Sequence, residues 1–259
     1  MKSRLDQLLV ARGLARSRTQ AQALILAGRV VVEWLAAAKA GSLFPEAVRV
    51  TIKERSPFVS RGGEKLAGAL DHFQLSPAGK VALDVGASTG GFTHCLLSRG
   101  ARKVYDVDVG YGQLAPSLKA DPRVVALERQ NLRLLPREAI PEPIDLITLD
   151  LSFISLTLVL PKMLEFLRPG GEILALVKPQ FEVGKGQVGK GGVVRDPALQ
   201  RQAVNKVAAA ARALGFQVSP GFPSPLKGPK GNQEYFLYLI TPGAKPEPAG
   251  VIDKDPEEF

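Results

Sequence analysis

Charged residues recur where strand-like apolar runs end: Asp84 in VALDVG, Asp150 after IDLITL and Lys178 after EILALV. A side chain at the carboxyl end of a buried strand is fixed by the sheet and faces the crevice in which α/β folds bind ligands. Solubility alone is a poor reason for repeating acids and a lysine in that position. The first run continues into a small-residue turn, VALDVGASTGGFT, where Gly86, Gly90 and Gly91 let the backbone come close to a bound molecule. The turn contains neither GxGxxG nor a closing Gly-Lys-Ser/Thr, so it matches neither common phosphate fingerprint. Asp84 at its mouth would repel a pyrophosphate but accept hydrogen bonds from a cationic amine. That chemistry favours an amino-acid-bearing nucleotide such as S-adenosylmethionine over ATP or NAD. A tight turn in an unrelated α/β domain accounts for the glycines alone.

The elements that must hold these groups alternate beyond Pro77. Apolar runs predict strands at 81–85, 103–108, 124–127, 144–150, 172–177, 216–218 and 235–240, with Glu234 at the threshold of the last. Helical patterns fall at 64–73, 90–98, 155–167 and 198–214, the third ended by Pro169, Gly170 and Gly171. Asp106 and Asp108 share one side of their strand, and Asp108 lies nearer its carboxyl end, where an acid receives ribose hydroxyls. The alternative is that either acid caps the following turn. Asn131 follows the 124–127 strand, where a turn residue approaches an adenine edge. Residues 182–196, EVGKGQVGKGGVVRD, read either as a flap presenting Lys185, Lys190 and Arg195 to RNA or as a disordered surface loop.

Upstream lies a small basic module. Residues 1–65 hold twelve Lys and Arg against five Asp and Glu, most of the chain's net charge of +9, and such asymmetry points first to nucleic acid. Leu5, Leu8 and Leu9 mark a short helix ended by Gly13. Ser17 and Gln20 form a capping-box start for a second helix that stops at Gly28, and strands follow at 30–32 and 48–52. Arg12, Arg16, Arg18 and Arg29 cluster around the helix ends, where guanidinium groups can meet phosphate oxygens. Arg61 and Lys65 bring charge to a junction, KERSPFVSRGGEKL, whose Gly62 and Gly63 give a flexible entry to the next helix. With 259 residues, 45% of them hydrophobic, the chain suits one large and one small domain. A single cysteine, Cys95, excludes an intrachain disulfide, and with two histidines no His/Cys metal array forms; carboxylate-bound magnesium stays open. No signal-like or membrane-length apolar run occurs, so a soluble, cytoplasmic protein is expected.

The stretch RLDQLLVARGLARSRTQAQALILAGRVVV resembles an S4-type RNA-binding domain, a small α+β unit of two helices and a β-hairpin. It departs from that pattern after the first strand, where Glu33, Trp34 and Leu35 replace an Asn-Gly turn, so the hairpin is expected to be altered or lengthened. Trp34 is there to stack on a base or to pack the module. Together with SRGGEKL, the loop after Val81, VYDVDVGYGQL, DLSFISL, LVKPQFE and GNQEYFL, the whole of residues 2–241 resembles the TlyA or haemolysin-A-like family. The resemblance implies an S4-like domain at 1–59, an FtsJ-like, Rossmann-like seven-stranded methyltransferase domain at 60–241 and a flexible tail at 242–259. It also implies S-adenosylmethionine-dependent 2'-O-methylation of cytidine in ribosomal RNA within a ribosomal subunit, with S-adenosylhomocysteine as product and no metal assigned.

Residue by residue, the family's catalytic Lys-Asp-Lys-Glu set falls on Lys65, Asp150, Lys178 and Glu234. Lys178 is the favoured proton acceptor, provided its amine is neutral in the reactive complex, while Asp150 and Glu234 orient the amines. Asp84, Gly86, Ala87, Ser88, Thr89 and Gly90 would surround the methionine portion of the cofactor, with Asp108 at the ribose and Asn131 near adenine. Phe153 is placed near the target base or cofactor, or in the core. Arg4, Arg12, Arg16, Arg18, Arg29 and Arg61 would contact RNA. Two other readings are a noncatalytic ribosome-assembly binder and a cytolysin, the latter without any membrane segment to support it.

Overall fold

In the smaller unit, short apolar stripes fold as two helices against small sheets. The computed structural model describes residues 2–26, 28–33, 35–36, 39–52 and 56–242, in two compact units, Met1–Ser56 and Pro57–Phe259. The first contains β1 (Lys2–Arg4), α1 (Leu5–Ala11), α2 (Arg18–Leu26), β2 (Val30–Val32), β3 (Leu35–Ala36), β4 (Leu43–Pro45) and β5 (Val50–Ile52). Leu5, Leu9, Ala21, Ile25 and Val30 form its core. The capping box is met on one side: Ser17 Oγ accepts from the Gln20 amide at 3.2 Å, but the Gln20 side chain reaches back to the Arg16 amide at 2.7 Å. The hairpin is tight rather than lengthened, since Val32 pairs with Leu35 and Val31 with Ala36. Glu33 takes the positive φ, 46°, that an Asn-Gly turn would supply. Strand β4 pairs with β1, a contact too short to leave a periodic signal. Trp34 and the tail residues 243–259 lie outside the described residues.

The larger unit opens with α3 (Arg61–His72), followed by β6 (Val81–Val85), α4 (Gly91–Ser98), β7 (Lys103–Val107), α5 (Pro116–Lys119), β8 (Val124–Leu127) and β9 (Ile144–Leu149). Then come α6 (Leu160–Met163), β10 (Leu167–Val177), α7 (Pro179–Glu182), α8 (Pro197–Ala213), β11 (Gln217–Val218), β12 (Phe222–Pro223) and β13 (Tyr235–Ile240). The sheet runs β11-β13-β10-β9-β6-β7-β8, with the two-residue β12 also on β13. Strands β10, β9, β6, β7 and β8 are parallel; β13 is antiparallel to its neighbours. Because β6 lies between β7 and β9, the chain direction switches at its carboxyl end, which opens a crevice there. Val81, Leu83 and Val85 pack in the layer that contains Val207 and Ala211 of α8, whereas Ala82 packs with Leu66 of α3 and Leu96 of α4.

Three expectations need correction. The helix expected at 155–167 is a 3-10 turn, Leu156–Leu158, followed by the four-residue α6, because Pro161 has no amide hydrogen and its ring obstructs the preceding turn. Gly62 and Gly63 are not a swivel: they lie in the first turn of α3, where Gly63 sits so close to the Phe58 ring that a Cβ would collide with it. Residues 182–196 are an anchored segment with two 3-10 turns. In it Val194 is buried, and Asn232 accepts from the Val194 amide and donates to the Gly192 carbonyl, each at 2.9 Å. Among the described residues no helix is long and apolar enough to cross a membrane.

Candidate active site

Four elements deliver charged groups to one cavity of about 430 Å³ in the larger unit: α3 brings Lys65, the end of β9 Asp150, the end of β10 Lys178, and the threshold of β13 Glu234. They form two pairs. Lys65 Nζ lies 2.5 Å from Glu234 Oε2, with both side chains buried. Lys178 Nζ lies 2.7 Å from Asp150 Oδ1 and donates to Ser152 Oγ at 3.0 Å. The first contact is a hydrogen bond; the second is an ion-pair approach off the hydrogen-bond direction, so the buried Asp150 Oδ1 keeps its acceptor capacity. The buried Lys65–Glu234 pair is retained at a desolvation cost, whereas the Lys178–Asp150 pair is half-buried and keeps some contact with solvent.

A neighbouring cleft of about 560 Å³ is lined by Gly86, Ser88, Asp108, Asn131, Asp150 and Phe153, among others. Gly86 has φ 82°, and a Cβ there would lie 2.7 Å from the Asp150 carbonyl oxygen, so only glycine permits this loop to lie against the β9 turn. Asp108 accepts from the Ser88 amide at 2.8 Å and the Gly110 amide at 2.7 Å, which fixes its carboxylate beside the loop. Each of its oxygens retains a second lone pair for a ligand hydroxyl. Asn131 lines the cleft while its side chain caps the Arg133 amide at 3.1 Å. Ala87, Ser88 and Thr89 line a third hollow, of about 420 Å³, together with Arg61, Lys65 and Asp150. Glycine-permitted backbone, a fixed acid and an apolar floor suit a nucleoside with an amino-acid tail.

Asp84 is not at the mouth. It is fully buried beneath the loop, where Thr93 and Thr148 hydroxyls each donate to one carboxylate oxygen at 2.8 Å. Gly90, also without a place in these cavity walls, starts α4 at φ 87° and packs against Leu114 and Leu118. Asp106, opposite Asp84 in register, is also buried, and its Oδ2 has no hydrogen-bond partner. Burial pushes Asp84 up to about 7, and burial followed by repulsion from Asp84 and Asp108 pushes Asp106 up to about 8.

Phe153 is not a core residue. Its ring is 91% exposed on a backbone at φ 64°, shared between the cleft and the cavity, 5.0 Å from the Phe181 ring. Two participants escaped the sequence reading. Ser152 bonds Lys178, and Glu182, buried one turn after Lys178, binds the loop after Asp150. The only trace of Glu182 in the sequence is an acid inside the otherwise apolar FEV.

The arginines divide sharply. Arg4 grips the buried Asp6 through two hydrogen bonds of 3.1 Å, and Arg18 reaches the same carboxylate at 3.2 Å, holding its pKa well below the usual carboxylate range. Arg12 donates to the Val48 and Glu46 carbonyls. Part of the donor capacity assigned to RNA is thus spent inside the fold. Arg16 is exposed, Arg29 is half-buried, and Arg61 donates to the Lys227 carbonyl at 2.9 Å while lining the third hollow.

Residues 58–241 match the FtsJ-like methyltransferase family, and residues 3–41 match the S4 domain. The chain is 53% identical to the 16S/23S rRNA (cytidine-2'-O)-methyltransferase TlyA of Mycobacterium tuberculosis, across 93% of this chain and 90% of that protein. It is 39% identical to Hemolysin A of Brachyspira hyodysenteriae, across 92% and 99%. A solved structure of a Streptococcus thermophilus protein described as a hemolysin superposes with a TM-score of 0.73 at 39% identity, over 93% of this chain and 89% of that one. The Bacillus cereus O-methyltransferase in complex with SAH, at 18% identity and a TM-score of 0.50 over 72% and 84%, shares the fold alone. The chain belongs to the TlyA or haemolysin-A-like family of FtsJ-like methyltransferases that carry an S4 domain.

Proposed function

We propose that the chain is an S-adenosylmethionine-dependent methyltransferase acting in the cytoplasm on the 2'-hydroxyl of cytidine in ribosomal RNA held in a ribosomal subunit. The observation that carries this reading is the convergence of Lys65, Asp150, Lys178 and Glu234 on one cavity that meets the nucleoside-shaped cleft at Asp150. The substrate rests on the relatives: the Mycobacterium tuberculosis protein is named for 16S and 23S rRNA, and a Campylobacter jejuni relative, 38% identical over 71% of each chain, for 23S rRNA.

When bound, S-adenosylmethionine supplies a methyl group on a cationic sulfur, whose S–C bond breaks with its electron pair returning to sulfur as the ribose O–C bond forms. The remaining work belongs to the chain. The loop from Gly86 to Thr89 and Asp108 hold the nucleoside and its amino-acid tail, with Asn131 at the adenine end. A ribose hydroxyl is so weak an acid that it gives up its proton only as attack proceeds. Lys178, steered by Asp150 and Ser152, is the group placed to receive that proton, provided its amine is neutral in the reactive complex. The Lys65–Glu234 pair lines the same cavity, and holding the hydroxyl in line supplies much of the rate. Phe153 offers a stacking face to the target base. Residues 1–59 add affinity through phosphate contacts, for which Arg16 is the best-presented of the predicted arginines, while residues 60–241 carry out the transfer.

Purified chain incubated with labelled S-adenosylmethionine and separated ribosomal subunits tests this, with any methylated ribose mapped. Label on cytidine 2'-oxygen that disappears in Lys178→Ala is the expected result. Tight RNA and cofactor binding without label on either subunit would replace the enzyme with a noncatalytic assembly factor.

A further inference from the structure

Two loops carry the open half of the site: Asp150–Leu156 after β9 and Lys178–Glu182 after β10. They are tied by the Asp150–Lys178 ion pair, the Lys178–Ser152 hydrogen bond and the Phe153–Phe181 ring contact. All of these lie at the cavity, where an arriving substrate must disturb them. A fourth tie lies behind. Glu182, 4% exposed, accepts from Ser155 Oγ at 2.6 Å through Oε2 and from the Leu156 amide at 2.8 Å through Oε1. Lys206 of α8 stands 3.4 Å from the same carboxylate and donates to the Glu182 carbonyl at 2.7 Å. Glu182 itself lines none of the three cavities, so it has no direct access to substrate.

The loop it grips is one that would not hold its shape unaided. Phe153 combines a left-handed backbone with an almost fully exposed side chain, so the conformation draws little support from burial of its own ring. The Leu156 amide is an orphan donor at the start of a 3-10 turn, and a buried carboxylate that accepts both it and a hydroxyl fixes the loop two to three residues past the ring.

We propose that Glu182 is a positioning residue that clamps the Asp150–Leu156 loop from behind and acts through the pose of Phe153. The inference rests on the methyltransferase reading above. Ground-state contacts at the cavity can then loosen as RNA enters while the loop keeps its place.

The test is a mutant cycle on kcat/KM for RNA with Glu182→Ala, Phe153→Ala and their combination, beside Glu182→Gln. It is read with cofactor Kd, thermal midpoint and hydrogen exchange of the 151–157 amides. Glu182→Ala is expected to lower kcat/KM on the order of 10²-fold, as a misplaced reacting group does. Cofactor Kd should hold, the 151–157 amides should exchange faster, and the double variant should be little worse than Phe153→Ala. Glu182→Gln, which keeps an acceptor for the Leu156 amide, should recover part of the activity. Multiplicative losses in the double variant, or a loss that follows the thermal midpoint alone, would overturn the proposal. If Glu182→Ala does not fold, Glu182→Gln and Ser155→Ala carry the cycle. An inactive wild-type chain would instead sink the functional reading, and the exchange measurement would still decide whether Glu182 holds the loop.

Discussion

Two tiers of acid stand at the end of the same sheet and are handled in opposite ways. In the upper tier Asp150 and Glu234 face the cavity and each has a lysine. In the lower tier Asp84 and Asp106 are buried side by side with threonine hydroxyls near them and, among the described residues, no ion pair. In the upper tier each carboxylate is met by a lysine amine at 2.5 to 2.7 Å. A carboxylate buried with hydroxyls is driven to keep a proton, and the two raised values record that. The same residue type therefore supplies reactivity above and a proton-dependent floor below.

The largest effect expected from breaking this comparison is in the upper tier. Lys178→Ala should cost about 10²- to 10⁴-fold in kcat, the scale of a lost proton acceptor, with cofactor affinity unchanged; methyl-transfer kinetics with cofactor titration check both. Next comes the sealed pair. Glu234→Ala leaves Lys65 buried without its partner and should destabilise the unit by about 3–5 kcal/mol in denaturant unfolding. A Lys65→Met, Glu234→Leu double variant should return most of that stability while remaining inactive, and recovery of activity would show that the pair is structural only.

The effect that is smallest in any one step is in the lower tier, where it accumulates over several pH units. Asp84 and Asp106 in the folded chain hold protons that the unfolded chain releases near the ordinary value of 3.8. Stability should therefore fall as pH rises from about 4 towards the folded values of about 7 and about 8, and level off above them. The slope is at most about 1.4 kcal/mol per pH unit for each proton that only the folded state holds. Asp106→Asn should make the decline shallower, and an unchanged slope would mean that Asp106 does not hold a proton there.

Much of the upper tier was legible because its positions are strand ends. Strands buried on both faces are continuous apolar runs, so β6, β8 and β13 have the bounds expected of them, and Asp150, Lys178 and Glu234 follow from where such runs begin or stop. What sequence could not show was partnership. Nothing in the spacing says that Asp84 lies under its loop with two threonines, that Arg4 and Arg18 close on Asp6, or that Glu182 reaches Leu156. Those are contacts between residues 9 to 64, 2 to 12 and 26 positions apart, set by packing. The helix expected at 155–167 failed for a local reason that was in plain view: Pro161 outweighed the apolar periodicity around it.

Asp150 has a consequence for chemical intervention. Its carbonyl oxygen backs the glycine loop of the cleft while its carboxylate meets Lys178 in the cavity, so together with Ser152 and Phe153 it stands on the boundary between two chambers of about 560 Å³ and about 430 Å³. An inhibitor assembled from two weak fragments, one in each chamber, needs only a short tether past this residue. Its second half then binds at the high effective concentration a short link provides.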